Sequence, residues 1–139
     1  MIEALNVLAA AAAAFAFGAV WYTSMSKAWI AAAEIPVDAN GRPTRRDSSG
    51  HQGSSPMPFV IGIIAMILVA GMMRHVLSAA GVTSIGGGLV AGAGIGAFLI
   101  TPWVAMNYAF AMRKPSLTVI DGINSIVGSA LMGAVLNLF

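Results

Sequence analysis

Four long apolar stretches separated by polar segments dominate the pattern of this chain. A helix needs about 20 mostly apolar residues to cross ~30 Å of hydrocarbon, and each stretch reaches that length. In lipid, backbone polar groups must be satisfied within the segment, and the alternating pattern of a membrane β-barrel is absent from the sequence. The pattern therefore predicts an all-α membrane protein with one domain over 1–139. We expect a four-transmembrane-helix bundle with helices at roughly 2–24, 58–80, 85–111 and 116–139.

The connections between the apolar stretches predict how the helices are arranged. The first connection, about 34–57, is rich in Pro, Gly, Ser and charged residues, which is typical of an irregular polar loop. The other two connections are short and lie at about 81–84 and 113–115. Because short links join antiparallel neighbours, we expect the second, third and fourth helices to be such neighbours.

Composition and charge define the class of protein and its orientation. Charged residues make up 9% of the chain, against about a quarter in soluble domains, which excludes a soluble protein. The Lys and Arg residues fall in or beside the first and third connections, with Arg74 as the exception. The positive-inside rule then predicts that both loops are cytoplasmic and that both termini are periplasmic. Since these basic residues flank apolar spans, we expect them to face membrane lipids and not nucleic acid.

Glycines recur at every fourth position in the third apolar stretch, at Gly88, Gly92 and Gly96. Such a repeat lets two helices approach closely, so it predicts a helix-packing face. Whether the partner helix belongs to this chain or to another subunit is left open by the sequence. The same stretch matches a dinucleotide-binding fingerprint, but that motif requires a preceding strand, which the pattern does not predict.

The fourth stretch carries a carboxylate, Asp121, with Asn124 nearby. A charged group inside a span is costly, so Asp121 should face the bundle or a wet cavity. Its expected partners lie at the same depth in neighbouring segments: Asn107, Arg113, Lys114, Lys27 and Tyr22. One interpretation is a structural acid near a helix N-terminus, satisfied by the helix dipole and a nearby base. The other is a proton or ion relay.

A second polar group is predicted at the opposite end of the bundle. Antiparallel packing would bring Glu3 and Asn6 to the depth of Arg74, so we expect a Glu3–Arg74 bridge, with snorkelling of Arg74 as the alternative. His75 beside it is interpreted as a satisfied core histidine, while a pH switch or a cofactor ligand stays open. The other histidine, His51, lies in the first loop, so a two-histidine metal site is not expected.

Aromatic side chains cluster where the first stretch ends. Trp21, Tyr22 and Trp29 lie there, and Trp103 and Tyr108 lie toward the same side in the third stretch. Trp and Tyr favour the membrane–water interface, so we interpret this set as an interfacial belt.

Several of these residues also form recognisable motifs. They are Phe17-Gly18-Ala19-Val20-Trp21-Tyr22-Thr23-Ser24, Lys27-Ala28-Trp29, Asn107-Tyr108-Ala109-Phe110, Arg113-Lys114-Pro115-Ser116-Leu117 and Ile120-Asp121-Gly122. With them the chain, apart from the loop 34–57, resembles the bacterial membrane family called domain of unknown function 1761. The resemblance implies a multi-pass protein with four spans in a bacterial inner (cytoplasmic) membrane. It implies no established activity and no catalytic residues.

Three functions remain compatible with the sequence. In the first, the chain is a non-catalytic accessory subunit that packs against a larger membrane complex or copies of itself. In the second, it is a small transporter or channel whose pathway contains Asp121, Asn124 and Asn107. In the third, it is a membrane enzyme that acts on lipid or quinone and uses His75, Arg74 and Glu3, which would require an open pocket. The residues predict no metal site and leave any cofactor unknown.

Overall fold

The computed structural model of the protein describes residues 2–44 and 56–138. Within these ranges the chain forms six α-helices, with a π-helical segment, Gly96–Ile100, joining the fourth to the fifth. Four helical runs are long and apolar enough to cross a membrane, so the predicted all-α four-span architecture is confirmed. The helices are α1 (Ile2–Ser24), α2 (Ser26–Ala33), α3 (Met57–Ala79), α4 (Ile85–Ile95), α5 (Thr101–Phe110) and α6 (Pro115–Leu136).

The spans begin and end close to where the sequence placed them, and local chemistry explains several of the ends. The Ser84 hydroxyl accepts a hydrogen bond from the backbone N–H of Gly87 at 3.0 Å, which caps α4. Pro115 is the first residue of α6, where its missing N–H costs nothing. Glu34 ends α2 in the left-handed conformation, with φ of 56°.

Helix α2 is an element that the sequence analysis did not predict. It follows α1 after Met25 and covers residues between the predicted first helix and the predicted loop, to which the sequence analysis assigned no element. Beyond it, an isolated antiparallel bridge joins Val37 and Pro43. Residues 45–55 of the predicted polar loop, including His51, lie outside the described residues.

Helix α6 is the centre of the bundle and the most buried of the four spans. It packs against α1 on one side and against α4 and α5 on the other, while α3 packs mainly on α1. The first and last spans are therefore adjacent, which the short links alone did not predict. The core combines small α1 residues with larger side chains of α3 and α6: Ala10, Ala11, Ala14, Ala70, Met73, Leu77, Met132 and Leu136.

The glycine repeat packs inside the chain, against α6. An ideal Cβ on Gly88 would overlap the carbonyl oxygen of Gly133, and one on Gly92 would overlap that of Ser129. At Gly96 the same atom would lie 2.6 Å from the Cα of Ile126. The predicted packing face is present, and its partner is the last span of the same molecule.

The bundle has two ends, which hold different polar groups. We use "terminal end" for the end where α1 begins and α6 ends, and "loop end" for the end where α1 ends and α6 begins. Asn6 joins the first and last spans at the terminal end, because its side-chain amide donates to the carbonyl oxygen of Leu136 at 2.9 Å.

Candidate functional site: the Asp121 cluster

The carboxylate of Asp121 binds aromatic side chains from three other helices at the loop end. Its Oδ1 accepts a hydrogen bond from the Tyr22 hydroxyl at 2.8 Å and another from the indole Nε1 of Trp29 at 3.1 Å. Its Oδ2 accepts one from the Tyr108 hydroxyl at 2.7 Å. Asp121 is 9% exposed. We call these four residues the Asp121 cluster, and they join α1, α2, α5 and α6.

Aromatic packing and backbone contacts orient the donors. The rings of Tyr22 and Trp29 lie edge to face, with centroids 5.8 Å apart. The indole of Trp21 donates to the carbonyl oxygen of Ile120 at 3.1 Å, which fixes the end of α1 against α6. Buried apolar residues from α2 and α6 pack against these aromatic rings: Ala32, Leu117 and Ile120.

Two basic side chains hold α2 in the position that places Trp29. The ammonium of Lys114 donates to the carbonyl oxygen of Ala31 at 3.1 Å and lies 3.6 Å from Glu34. The guanidinium of Arg113 donates to the carbonyl oxygen of Ala33 at 3.4 Å. Cations at a helix C-terminus satisfy its unpaired carbonyls and complement its dipole. These contacts dock α2 onto the start of α6.

The partners of Asp121 differ from most of those expected from the sequence. Tyr22 is a partner, whereas Arg113 and Lys114 bind α2 carbonyls instead. Lys27 and Asn107 are exposed. Asp121 is also several residues into α6, beyond the first turn where a helix dipole acts. Within the described residues, neutral hydroxyl and indole donors, rather than a base, satisfy the carboxylate.

Trp29 and Tyr108 had been interpreted only as interfacial aromatics. Trp29 lies eight positions after Trp21, yet the indoles of both residues donate hydrogen bonds to α6. The chain must turn back between them to make both bonds, and the unpredicted helix α2 provides this change of direction. Trp103, which was assigned to the same belt, is 68% exposed on the outside of α5.

Asn124 lies one turn deeper than Asp121 on α6. Its carbonyl oxygen Oδ1 is buried and has no hydrogen-bond partner among the described residues. An ideal Cβ on Gly18 of α1 would lie 3.4 Å from this oxygen. Further along the same helix interface, Gly128 faces the methyl group of Ala14 at an ordinary contact distance. The polar cluster therefore ends at Asn124 and gives way to a layer of small apolar residues.

The polar residues predicted at the terminal end form a separate group. Arg74 Nη2 lies 3.3 Å from Glu3 Oε1, so the expected ion pair is present. Asn6 does not join it, because its amide binds Leu136 and its buried Oδ1 has no partner among the described residues. His75 is exposed. An open groove of about 530 Å³ runs between α1 and α3 beside Arg74.

None of these clusters has the composition of a metal site. Among residues 2–44 and 56–138, no group of three or more His, Cys, Asp or Glu side chains is placed to hold a metal ion. The donors around Asp121 are phenol and indole groups, which suit a carboxylate and do not suit a cation. The cluster is therefore an internal anion-binding arrangement whose anion is the protein's own side chain.

Together these features define a small helical membrane protein with four candidate spans, tied at one end by a buried carboxylate. A family model described as protein of unknown function (DUF1761) matches residues 5–137. The chain belongs to this family, as its motifs had indicated. Neither a curated protein nor a solved structure matches the chain.

Proposed function

We propose that this protein is a non-catalytic structural subunit of a membrane assembly. The observation that carries the proposal is that both carboxylate oxygens of Asp121 are hydrogen-bonded, by Tyr22, Trp29 and Tyr108. A carboxylate with several strong donors is a stable interhelical link, because breaking it would leave buried polar groups unpaired. Its role in the proposal is to fix the relative positions of helices that a partner recognises.

The interior of a single copy supports this assignment over transport. Between Asn124 and the terminal end, α1 and α6 meet through Ala10, Ala14 and Met132, each at most 5% exposed. Apolar side chains packed this closely exclude water and ions. A path that uses Asp121 would need these layers to separate.

The face that we assign to the partner is the outer side of α5 and of the π-helical segment before it. Leu99, Trp103, Met106 and Phe110 follow one another at intervals of four, three and four residues, and each is between 46% and 86% exposed. This is the spacing of a helix–helix seam. The glycine repeat does not compete for the role, since α6 already occupies it.

The chemistry of this face indicates the kind of partner. Asn107 lies beside the seam, exposed, and its side-chain amide has no hydrogen-bond partner among the described residues. Polar side chains in spans commonly hydrogen-bond across helices. We therefore infer that the partner is a transmembrane helix of another subunit that presents a hydrogen-bonding side chain at the depth of Asn107.

The experiment is mild detergent extraction of the full-length protein from its native membrane, followed by mass spectrometry of what co-purifies. We expect a membrane protein to be recovered with the wild type and to be lost with Trp103→Ala or Asn107→Leu. The matched control is Phe59→Ala, a residue of α3 with 67% exposure that lies away from the seam. Recovery of a second copy alone would identify the assembly as a homo-oligomer. Recovery of a monomer from wild type would contradict the proposal.

The unpartnered Oδ1 of Asn124 favours a second candidate function, a small transporter or channel. A free buried acceptor one turn from Asp121 could bind a water or a cation during opening of the bundle. In this case Asp121→Asn would abolish ion or proton flux in liposomes while leaving the fold and the co-purification result unchanged.

A further inference from the structure

We propose that the groove at the terminal end binds one zwitterionic phospholipid that carries a primary amine in its headgroup. The groove lies between α1 and α3, is open on one side and has a volume of about 530 Å³. This proposal does not depend on the assembly function proposed above, because none of the groove residues belongs to the seam on α5.

The groove changes from polar to apolar along its length. Its polar residues, Glu3, Arg74, His75 and Ser78, lie at the ends of the α1 and α3 spans. Span ends coincide with the headgroup region of a bilayer, so these side chains lie where a phosphate and an amine are found.

The apolar part of the groove continues from there toward the middle of the membrane. Its walls include Val7 and Leu8 of α1 and Ile67 and Gly71 of α3. From Arg74 to Ile67 a helix rises roughly 10 Å, enough to cover the upper part of an acyl chain. Gly71 has no side chain to occupy this part of the groove. An ideal Cβ built there would lie 4.0 Å from Val7 Cγ1, so a longer side chain would extend into the groove.

The charges in the groove select the headgroup. Arg74 offers five N–H donors in a planar fork that suits phosphate, and the structure gives it one partner among the described residues, Glu3 at 3.3 Å. The Glu3 side chain is 81% exposed, so this pair is weak and is readily opened by a ligand. A phosphate bound to Arg74 would leave the Glu3 carboxylate free to accept hydrogen bonds. A primary ammonium group has N–H donors for it, whereas a quaternary ammonium has none.

Arg74 and Glu3 carry opposite charges, so together this pair has no net charge. A headgroup that contains both a phosphate and an ammonium complements both side chains. An anionic headgroup would instead place its negative charge beside Glu3. Charge complementarity of this kind governs specificity more than affinity, so the preference between lipids is the property to measure.

The test is native mass spectrometry of the purified full-length protein in detergent, incubated with equal amounts of phosphatidylethanolamine and phosphatidylglycerol. For the wild type we expect one retained phosphatidylethanolamine, preferred over phosphatidylglycerol by roughly tenfold, the effect of one charge-assisted interaction. Glu3→Gln leaves Arg74 as the only charged member of the pair and should reverse the preference. Gly71→Leu fills the apolar part of the groove and should lower retention of both lipids.

The matched control is Glu34→Gln, because Glu34 also forms an exposed ion pair, with Lys114, but at the loop end. It should retain the wild-type preference. Equal retention of the two lipids by the wild type would overturn the proposal. So would the same preference in Glu3→Gln and Glu34→Gln, or unchanged retention in Gly71→Leu, which would place the lipid on the general surface and not in the groove. Folding of each variant is checked by its elution volume and its thermal unfolding in the same detergent.

Discussion

The indole of Trp29 donates a hydrogen bond to the carboxylate of Asp121 at 3.1 Å and so attaches a helix outside the four spans to the interior of the bundle. Trp29 belongs to α2, which runs for only eight residues. A helix of that length is marginal in isolation, so tertiary contacts must provide most of its stability. The Trp29–Asp121 bond, together with the basic side chains at the end of α2, provides them.

Replacing Trp29 by Phe should therefore loosen α2 while leaving the four spans in place. The variant keeps an aromatic ring beside Tyr22 and removes the N–H donor to Asp121. A hydrogen bond to a charged group contributes about 1.5–3 kcal/mol, which is large for so short a helix. Hydrogen exchange followed by mass spectrometry should show faster exchange of residues 26–33 and unchanged exchange in α6.

Trp103→Phe is the control for this experiment. Trp103 is 68% exposed on α5, so the same chemical change there removes no contact to Asp121. Equal protection of α2 in wild type and Trp29→Phe would show that the bond to Asp121 does not hold this helix.

Substitutions of Asp121 should separate the loss of its charge from the loss of its acceptors. In Asp121→Asn the amide oxygen can still accept from Tyr22 and Trp29, and the amide N–H can donate to the hydroxyl of Tyr108, which is able to accept. We expect a cost of about 1 kcal/mol, from the lost charge assistance. Asp121→Leu removes both acceptors and leaves buried donors unpaired, so it should cost about 3 kcal/mol or more.

The measurement is the free energy of unfolding in mixed micelles of a mild and a denaturing detergent. The control is Asp38→Asn in the first loop. Among the described residues, its carboxylate accepts hydrogen bonds only from the backbone N–H groups of Asn40 and Arg42. If Asn and Leu at position 121 destabilised the protein equally, the stabilising property would be the charge itself rather than the set of acceptors.

Much of the fold was predictable because the membrane limits the choices. The four apolar stretches required helices on length alone, and the short link between α5 and α6 predicted the antiparallel contact that the structure shows. The same argument was wrong for the second and third spans, because α3 packs mainly on α1 and barely contacts α4. The contact between α1 and α6 was not predictable in this way, because a long connection does not restrict which helices meet. It depends on packing between small residues such as Ala14 and Gly128, which a sequence pattern does not pair.

Part of the candidate site was also predictable from the properties of the membrane. Asp121 could be singled out because a carboxylate inside a span needs partners, and Tyr22 was among those expected. Trp29 and Tyr108 were not recognised as donors, since aromatic residues near span ends have a common alternative role at the interface. Their hydrogen bonds depend on the turn at Met25 and on the depth of α5, which are properties of the folded chain.

The glycine repeat gives the sharpest test of the helix packing, because a matched glycine lies between two of its members. A methyl group at Gly92 would overlap the carbonyl oxygen of Ser129, whereas one at Gly94 would meet nothing within 4 Å. Gly92→Ala should force α4 away from α6 and destabilise the protein by about 1–3 kcal/mol, as overpacked cores do. Gly94→Ala should be neutral or should stabilise it by up to about 1 kcal/mol, because alanine loses less backbone entropy in a helix. Thermal unfolding of both variants in one detergent makes the comparison, and equal midpoints would show that α4 and α6 are not in backbone contact in the membrane protein.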